Sequence, residues 1–352
     1  MAIFESIFDL SYLLIVIALG VRLVLEKEKG AKIFALMAIF LGLGDSFHLI
    51  PRVMAHFSLQ GFQGYTSLLS WGKFITSLTM TIFYVLYYHY LEEATGKKSK
   101  TKKLLIYVLA GLRIILVHLP QNNWGSANES YMMGIYRNIP FTIMGILLII
   151  WSNKNKNLPA LKHMDLLIFL SFLFYAPVVL FADKYPVVGA LMMPKTVAYL
   201  LIVVLGFKTY VKDFSRKNIL SLAFAFLIMG MAGGVFYREF TKFNDFTGRT
   251  HLLKVHPHAL VLGFIFLLVL YLLTKDWDDM KVKTLQKPMN LYIAGLSFTI
   301  INMLAIGIFE VVDPSLSAVS LPALSGLSGL GHIALGVGLV QVFLKFYKST
   351  VK

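Results

Sequence analysis

Residues 187–207, VVGALMMPKTVAYLLIVVLGF, are followed by the polar segment KTYVKDFSRKN (208–218) and then by ILSLAFAFLIMGMAGGVFYREF (219–240). A helix rises 1.5 Å per residue, so an apolar run of about 20 residues spans the roughly 30 Å hydrocarbon core of a bilayer. Both flanking runs meet that length, and the basic segment between them can stay in water. The stretch reads as two membrane helices joined by a loop.

The same pattern extends in both directions. Further apolar runs cover 3–25, 31–50, 68–90, 104–119, 131–151 and 164–181 upstream, and 250–273, 289–311 and 321–346 downstream. The predicted fold class is all-α, a polytopic helical membrane protein with about 11 transmembrane helices. The segment 208–218 divides it into a seven-helix module over 1–210 and a four-helix module with histidines over 218–352. Composition agrees, because 57% of the residues are hydrophobic and only 14% charged, unlike an ordinary globular domain. A formal net charge of +15 would suggest nucleic acid for a soluble protein. Here the basic residues gather in alternate loops, so no nucleic-acid partner is expected, and they read as topology signals and contacts with a lipid bilayer. The absence of cysteine excludes disulfides, thiolate metal sites and thiol nucleophiles.

The loops carrying Lys27 and Lys29, Lys98 and Lys100, Lys154 and Lys156, Lys208 and Lys212, Lys281 and Lys283, and the end carrying Lys348 lie on one side of this plan. The positive-inside rule makes that side cytoplasmic, with the N-terminus outside and the C-terminus inside a cell (cytoplasmic) membrane. The first run has no basic leader region or small-residue cleavage site and reads as a retained helix.

Within the first module, Glu5 and Asp9 stand one turn apart on the first helix, and Asp45, His48 and Arg52 follow at i, i+3 and i+7 on the second. Lys73, Arg137 and Lys195 fall toward the same outer leaflet. An ionised side chain facing lipid costs about 2.5–3.5 kcal/mol or more. These eight residues are therefore predicted to ring a pocket for a small-molecule ligand or for protons, as in a transporter of a small solute; ion pairs that merely lock the bundle are the competing reading. Asp45-Ser46-Phe47-His48 is also similar to the second helix of intramembrane metal-dependent hydrolases, but the His-x-x-x-His pair those enzymes need is missing from 187–207. No P-loop, dinucleotide fingerprint or nucleophile elbow occurs at a usable position, which leaves the enzyme question open. Tyr84, Tyr87, Tyr88 and Tyr90, with His89, read as an interfacial aromatic belt rather than a quinone site.

The second module carries Arg249-Thr-His251-Leu-Leu-Lys254-Val-His256-Pro257-His258. If a helix begins near Thr250, which can cap it, His251, Lys254 and His258 share a face, His256 points elsewhere, and Pro257 frees the carbonyl of Leu253. If it begins at His256, His258 lies near the surface instead. In the first case His258 and His332 lie about 12 Å and about 16 Å below their helix starts and share a depth. Two histidines on separate helices suit axial ligation of haem b, with Arg238 and Arg249 placed to neutralise its propionates. Alternatively His251, His256, Glu239 and Glu310 form a divalent-metal set. Histidines that only cap helices or bond headgroups are the plainer reading of His251 and His256.

Three motifs carry a resemblance: Gly233-Gly-Val-Phe-Tyr237-Arg-Glu239-Phe-Thr-Lys242-Phe, His256-Pro-His258-Ala-Leu-Val-Leu-Gly263, and Gly331-His332. On these, the last third of the chain resembles an uncharacterised bacterial four-helix membrane family, a domain of unknown function that often occurs alone. More faintly it is similar to small haem-copper-oxidase-like histidine modules. The first resemblance implies a separable module, and the second a redox or sensing role for a haem or metal at the outer face.

Overall fold

A computed structural model describes the backbone of residues 2–57, 61–312 and 314–350, with the side chains of 2–4, 7, 57, 314–325, 327 and 350 outside the described set. Every regular element among the described residues is helical. The long helices are α1 (Ala2–Val24), α2 (Lys29–Phe57), α3 (Thr66–Thr95), α4 (Lys100–His118), α5 (Tyr131–Asn153), α6 (Met164–Phe181), α7 (Met192–Tyr210), α8 (Arg216–Phe243), α9 (Leu252–Leu273), α10 (Gln286–Val312) and α11 (Pro314–Thr350). Nine of these, all but α1 and α4, are long and apolar enough to cross a membrane among the described residues. The chain reads as a multi-pass helical membrane protein. It forms two compact units, one of residues 8–53 and 62–212, the other of residues 1–7, 54–61 and 213–352.

In the first unit consecutive helices from α3 to α7 pack as neighbours, which follows from the short connections between them. Helix ends carry the expected chemistry. Ser99 accepts from the Lys102 N–H at 3.4 Å to start α4, Ser130 accepts from the Met133 N–H at 3.3 Å to start α5, and Gly96 takes the left-handed φ of 66° that ends α3. The core joins Tyr12 and Val16 of α1, Phe34 and Met37 of α2, Met144 of α5, Ile168 of α6 and Ile202 of α7.

The tyrosine cluster of α3 belongs to this core and not to an interfacial belt. Tyr84, Tyr87, Tyr88 and Tyr90 are at most 1% exposed. Each hydroxyl has a partner: Tyr84 lies 3.0 Å from the Tyr199 hydroxyl, Tyr87 lies 2.8 Å from Ser152 Oγ, Tyr88 donates to Glu92 at 2.8 Å, and Tyr90 donates to the Ala160 carbonyl at 3.0 Å. A buried phenol is tolerable only when its O–H is satisfied, and partners from three other segments, with Glu92 of α3 itself, do so here.

In the second unit, Ser215 and Asn218 close a capping box at the start of α8. Helix α8 packs on α9, and α10 packs on both the start of α9 and on α11. Helix α9 begins at Leu252, so Pro257 lies inside it, and the backbone widens to π-helix from His258 to Ile265. A proline removes one N–H and displaces the carbonyl four residues earlier, and a widened turn relieves that clash. Thr250 Oγ1 bridges the start of α9, accepting from the Leu252 N–H at 3.3 Å and donating to the Gly307 carbonyl at 2.9 Å.

Candidate functional site

The first unit encloses a cavity of about 800 Å³ that runs from exposed Ser126 and Asn128 to buried Arg113 and Tyr199. Its size is that of a small-molecule site. Of the eight residues expected to ring a pocket, His48, Arg52, Lys73, Arg137 and Lys195 line this cavity. The three acids do not. Asp45 holds the Tyr12 hydroxyl at 2.7 Å, Asp9 is buried at 5% exposure away from the lining, and Glu5 sits in the other unit, 3.3 Å from His56 Nε2. A carboxylate inside a bundle turns to whichever donor reaches it, and helical spacing does not say which side that donor occupies.

The carboxylates that do line the cavity are Glu129 and Asp183. Glu129 is engaged by Lys73 at 3.2 Å. Five basic side chains, Arg52, Lys73, Arg113, Arg137 and Lys195, therefore share the lining with two carboxylates among the described residues. Aromatic faces support several of them: Arg113 lies over Phe141 at 3.4 Å, Arg137 over Trp124 at 4.3 Å and Lys195 over Tyr175 at 4.2 Å. Such contacts position a cation without cancelling its charge.

Arg113 and Asn122 are the residues that reading the sequence missed. Arg113 is 2% exposed, and its Nε and Nη1 have no hydrogen-bond acceptor among the described residues. A lone arginine amid the apolar residues of α4 was signal enough, because a mid-span cation needs a partner or a water-filled cavity. Asn122 is fully buried just beyond α4. Its Nδ2 donates to the carbonyls of Leu116 and Leu119 at 2.8 Å and of Val117 at 3.2 Å, while its Oδ1 accepts from Arg137 Nη1 at 2.7 Å. It ties off the last turn of α4 and aims Arg137.

In the second unit the four residues expected as a divalent-metal set are divided. Glu310 accepts from the His251 backbone N–H and meets its Nδ1, both at 2.7 Å; His256 Nδ1 lies 2.8 Å from the Gly230 carbonyl; Glu239 pairs with Arg238. No group of three or more potential ligands is gathered among the described residues. His256 faces α8 because it stands about 200° around the helix from His258.

His258 and His332 do meet. Their ring centres are 6.2 Å apart with planes at 88°. In each, Nδ1 lies 2.8 Å from the carbonyl four residues earlier, of Lys254 and Ser328 respectively. Donation from Nδ1–H leaves Nε2 as the basic nitrogen. Arg238 is engaged by Glu239, and Arg249 is exposed in the connection before α9. Lys254, one turn above His258, is the cation within its electrostatic reach.

No curated protein and no solved structure matches the chain. The fainter likeness to haem-copper oxidase helices is not among the matches. Residues 216–349 match the family model described as "Protein of unknown function (DUF2871)", in agreement with the resemblance carried by the motifs of the last third of the chain.

Proposed function

We propose that the protein is a solute-binding carrier of the cytoplasmic membrane, whose first unit receives a small molecule in the cavity opening on the outer side. The observation that carries this reading is a ligand-sized cavity within membrane helices, lined by five cations that cannot all be left facing lipid. Eleven spans, with the N-terminus outside and the C-terminus inside, complete the proposed topology, because the loop lysines alternate only if α1 and α4 also cross. The outward apolar face of α4, with Leu104, Val108 and Ile115 all more than half exposed, suits contact with lipid.

Cysteine labelling tests both parts in this cysteine-free chain. An impermeant maleimide added to intact cells is expected to modify Ser126→Cys at the mouth and Asn138→Cys within the cavity, and to reach Lys156→Cys only after permeabilisation. Labelling of Ser126→Cys without Asn138→Cys would mean a closed cavity, and labelling of Lys156→Cys in intact cells would invert the topology.

A second reading concerns the other unit, in which His258 and His332 ligate haem b or a metal ion in a redox or sensing role. It is supported by their separation, since imidazoles sharing one metal at bonds near 2 Å place their ring centres roughly 6 Å apart. Gly329 and Gly336, beside His332, have open space where a Cβ would project. The purified protein is then expected to show a Soret band or one bound metal, lost in His332→Ala and kept in His56→Ala. A colourless, metal-free protein, or retention in His332→Ala, removes this reading.

A further inference from the structure

The charge distribution of the first unit's cavity says more about its ligand than that one binds. Arg113 and Lys195 lie at the buried end, within electrostatic reach of each other. Neither makes a direct ion pair among the described residues; Asp45, which accepts from the Tyr12 hydroxyl at 2.7 Å, is a carboxylate within electrostatic reach of Lys195, whereas no acid is so placed for Arg113. Two donor nitrogens of Arg113 are unused although the side chain is 2% exposed. Leaving buried donors on a charged group without acceptors is costly, and structural arginines in bundles are normally saturated. Phe141 stacks on the guanidinium at 3.4 Å, which fixes its plane and leaves its edge for an acceptor.

A planar guanidinium with a neighbouring ammonium matches the geometry of an oxyanion. The cavity, about 800 Å³, far exceeds what an inorganic ion fills, and Val178, Val179 and Met192 supply apolar wall. Resting on the solute-binding reading above, we propose that the ligand is an organic oxyanion, a carboxylate or a phosphate ester. Its charged group takes the unused donors of Arg113 beside Lys195, and its body lies along the apolar wall. The bound anion supplies the acceptor and counter-charge that Arg113 lacks.

The test uses the full chain purified in detergent and dialysed free of small anions, with thermal unfolding and calorimetry as readouts. The probes are benzoate and glycerol phosphate, their uncharged counterparts benzamide and glycerol, and the cation benzylamine. At least one anionic probe is expected to raise the melting temperature saturably, while the uncharged and cationic probes leave it unchanged. Arg113→Met and Lys195→Met are each expected to weaken that probe at least about tenfold. Ligand-free Arg113→Met should melt no lower than the parent, since the exchange removes an unsatisfied buried charge. Should Arg113→Met not fold, Lys195→Met carries the comparison.

Response to benzoate alone or to glycerol phosphate alone identifies which oxyanion the site takes. Equal binding of the uncharged or cationic probes, undiminished affinity in both variants, or a lowered melting temperature for ligand-free Arg113→Met overturns the oxyanion assignment while leaving a solute site. A flat response to every probe overturns both the assignment and the solute-binding reading.

Discussion

Gly295→Ala is expected to destabilise the second unit by about 3 kcal/mol, and Gly329→Ala to leave it unchanged or up to about 1 kcal/mol more stable. On α10, a Cβ at Gly295 would strike the backbone nitrogen of Leu335 on α11 and come within 2.9 Å of the Ala334 and Gly331 backbone. On α11, a Cβ at Gly338 would reach the Tyr292 nitrogen at 2.5 Å. The two helices thus meet backbone to backbone, which only glycine permits, and association within a bilayer depends on such close packing because lipid and leucine are equally apolar. A clash with backbone is relieved only by moving a whole helix. At Gly329 nothing lies within 4 Å of the added carbon, so alanine gains helix propensity without a clash. Unfolding of each variant in detergent reads the difference, and shifts of the same sign at both positions would contradict the packing described.

Asn122→Ala is expected to cost roughly 2–4 kcal/mol and to expose the 119–130 connection to proteolysis. The substitution strands the carbonyl of Leu116, leaves that of Leu119 with only the backbone N–H of residue 122, and removes the 2.7 Å acceptor of Arg137. Asn122→Asp separates the two duties, because aspartate still accepts from Arg137 but has no N–H for the carbonyls. It is expected to be as destabilising as alanine. Recovery of parental stability by aspartate would show that the Arg137 contact, and not the closure of α4, is the important half.

Much of this architecture was legible from a single physical quantity, the length of uninterrupted apolar sequence. Nine of the predicted runs coincide with helices long and apolar enough to cross a membrane, since in hydrocarbon a chain must satisfy its backbone internally and a helix does so locally. The start of α9 is a subtler case. The sequence allowed a start near Thr250 or at His256, and the structure takes the first, with Pro257 inside the helix and His256 apart from His258. Spacing along one helix is local information.

The charged side chains show where local information stops. On α2, Asp45 and His48 are three residues apart, yet His48 lines the cavity while Asp45 turns to Tyr12 of α1. The tyrosines of α3 have the composition of an interfacial belt, but hydroxyl partners on α5, α6, α7 and the 159–161 turn draw them into the core. The expected metal set contains the right residue types, but a glutamate from α10 claims His251 and a carbonyl of α8 claims His256.

The sequence by itself determined which segments become helices and that several of them carry costly charges, because helix formation and burial in lipid are properties of each segment alone. Only the tertiary structure decided which charges meet. An ionic or hydrogen-bonded contact depends on the rotation of two helices about their axes and on which helices are neighbours, and both are set by the packing of glycines and aromatic side chains distant in sequence. That is why the sequence could name His48, Arg52, Lys73, Arg137 and Lys195 but grouped with them Glu5, Asp9 and Asp45, which lie off the cavity once the bundle is assembled.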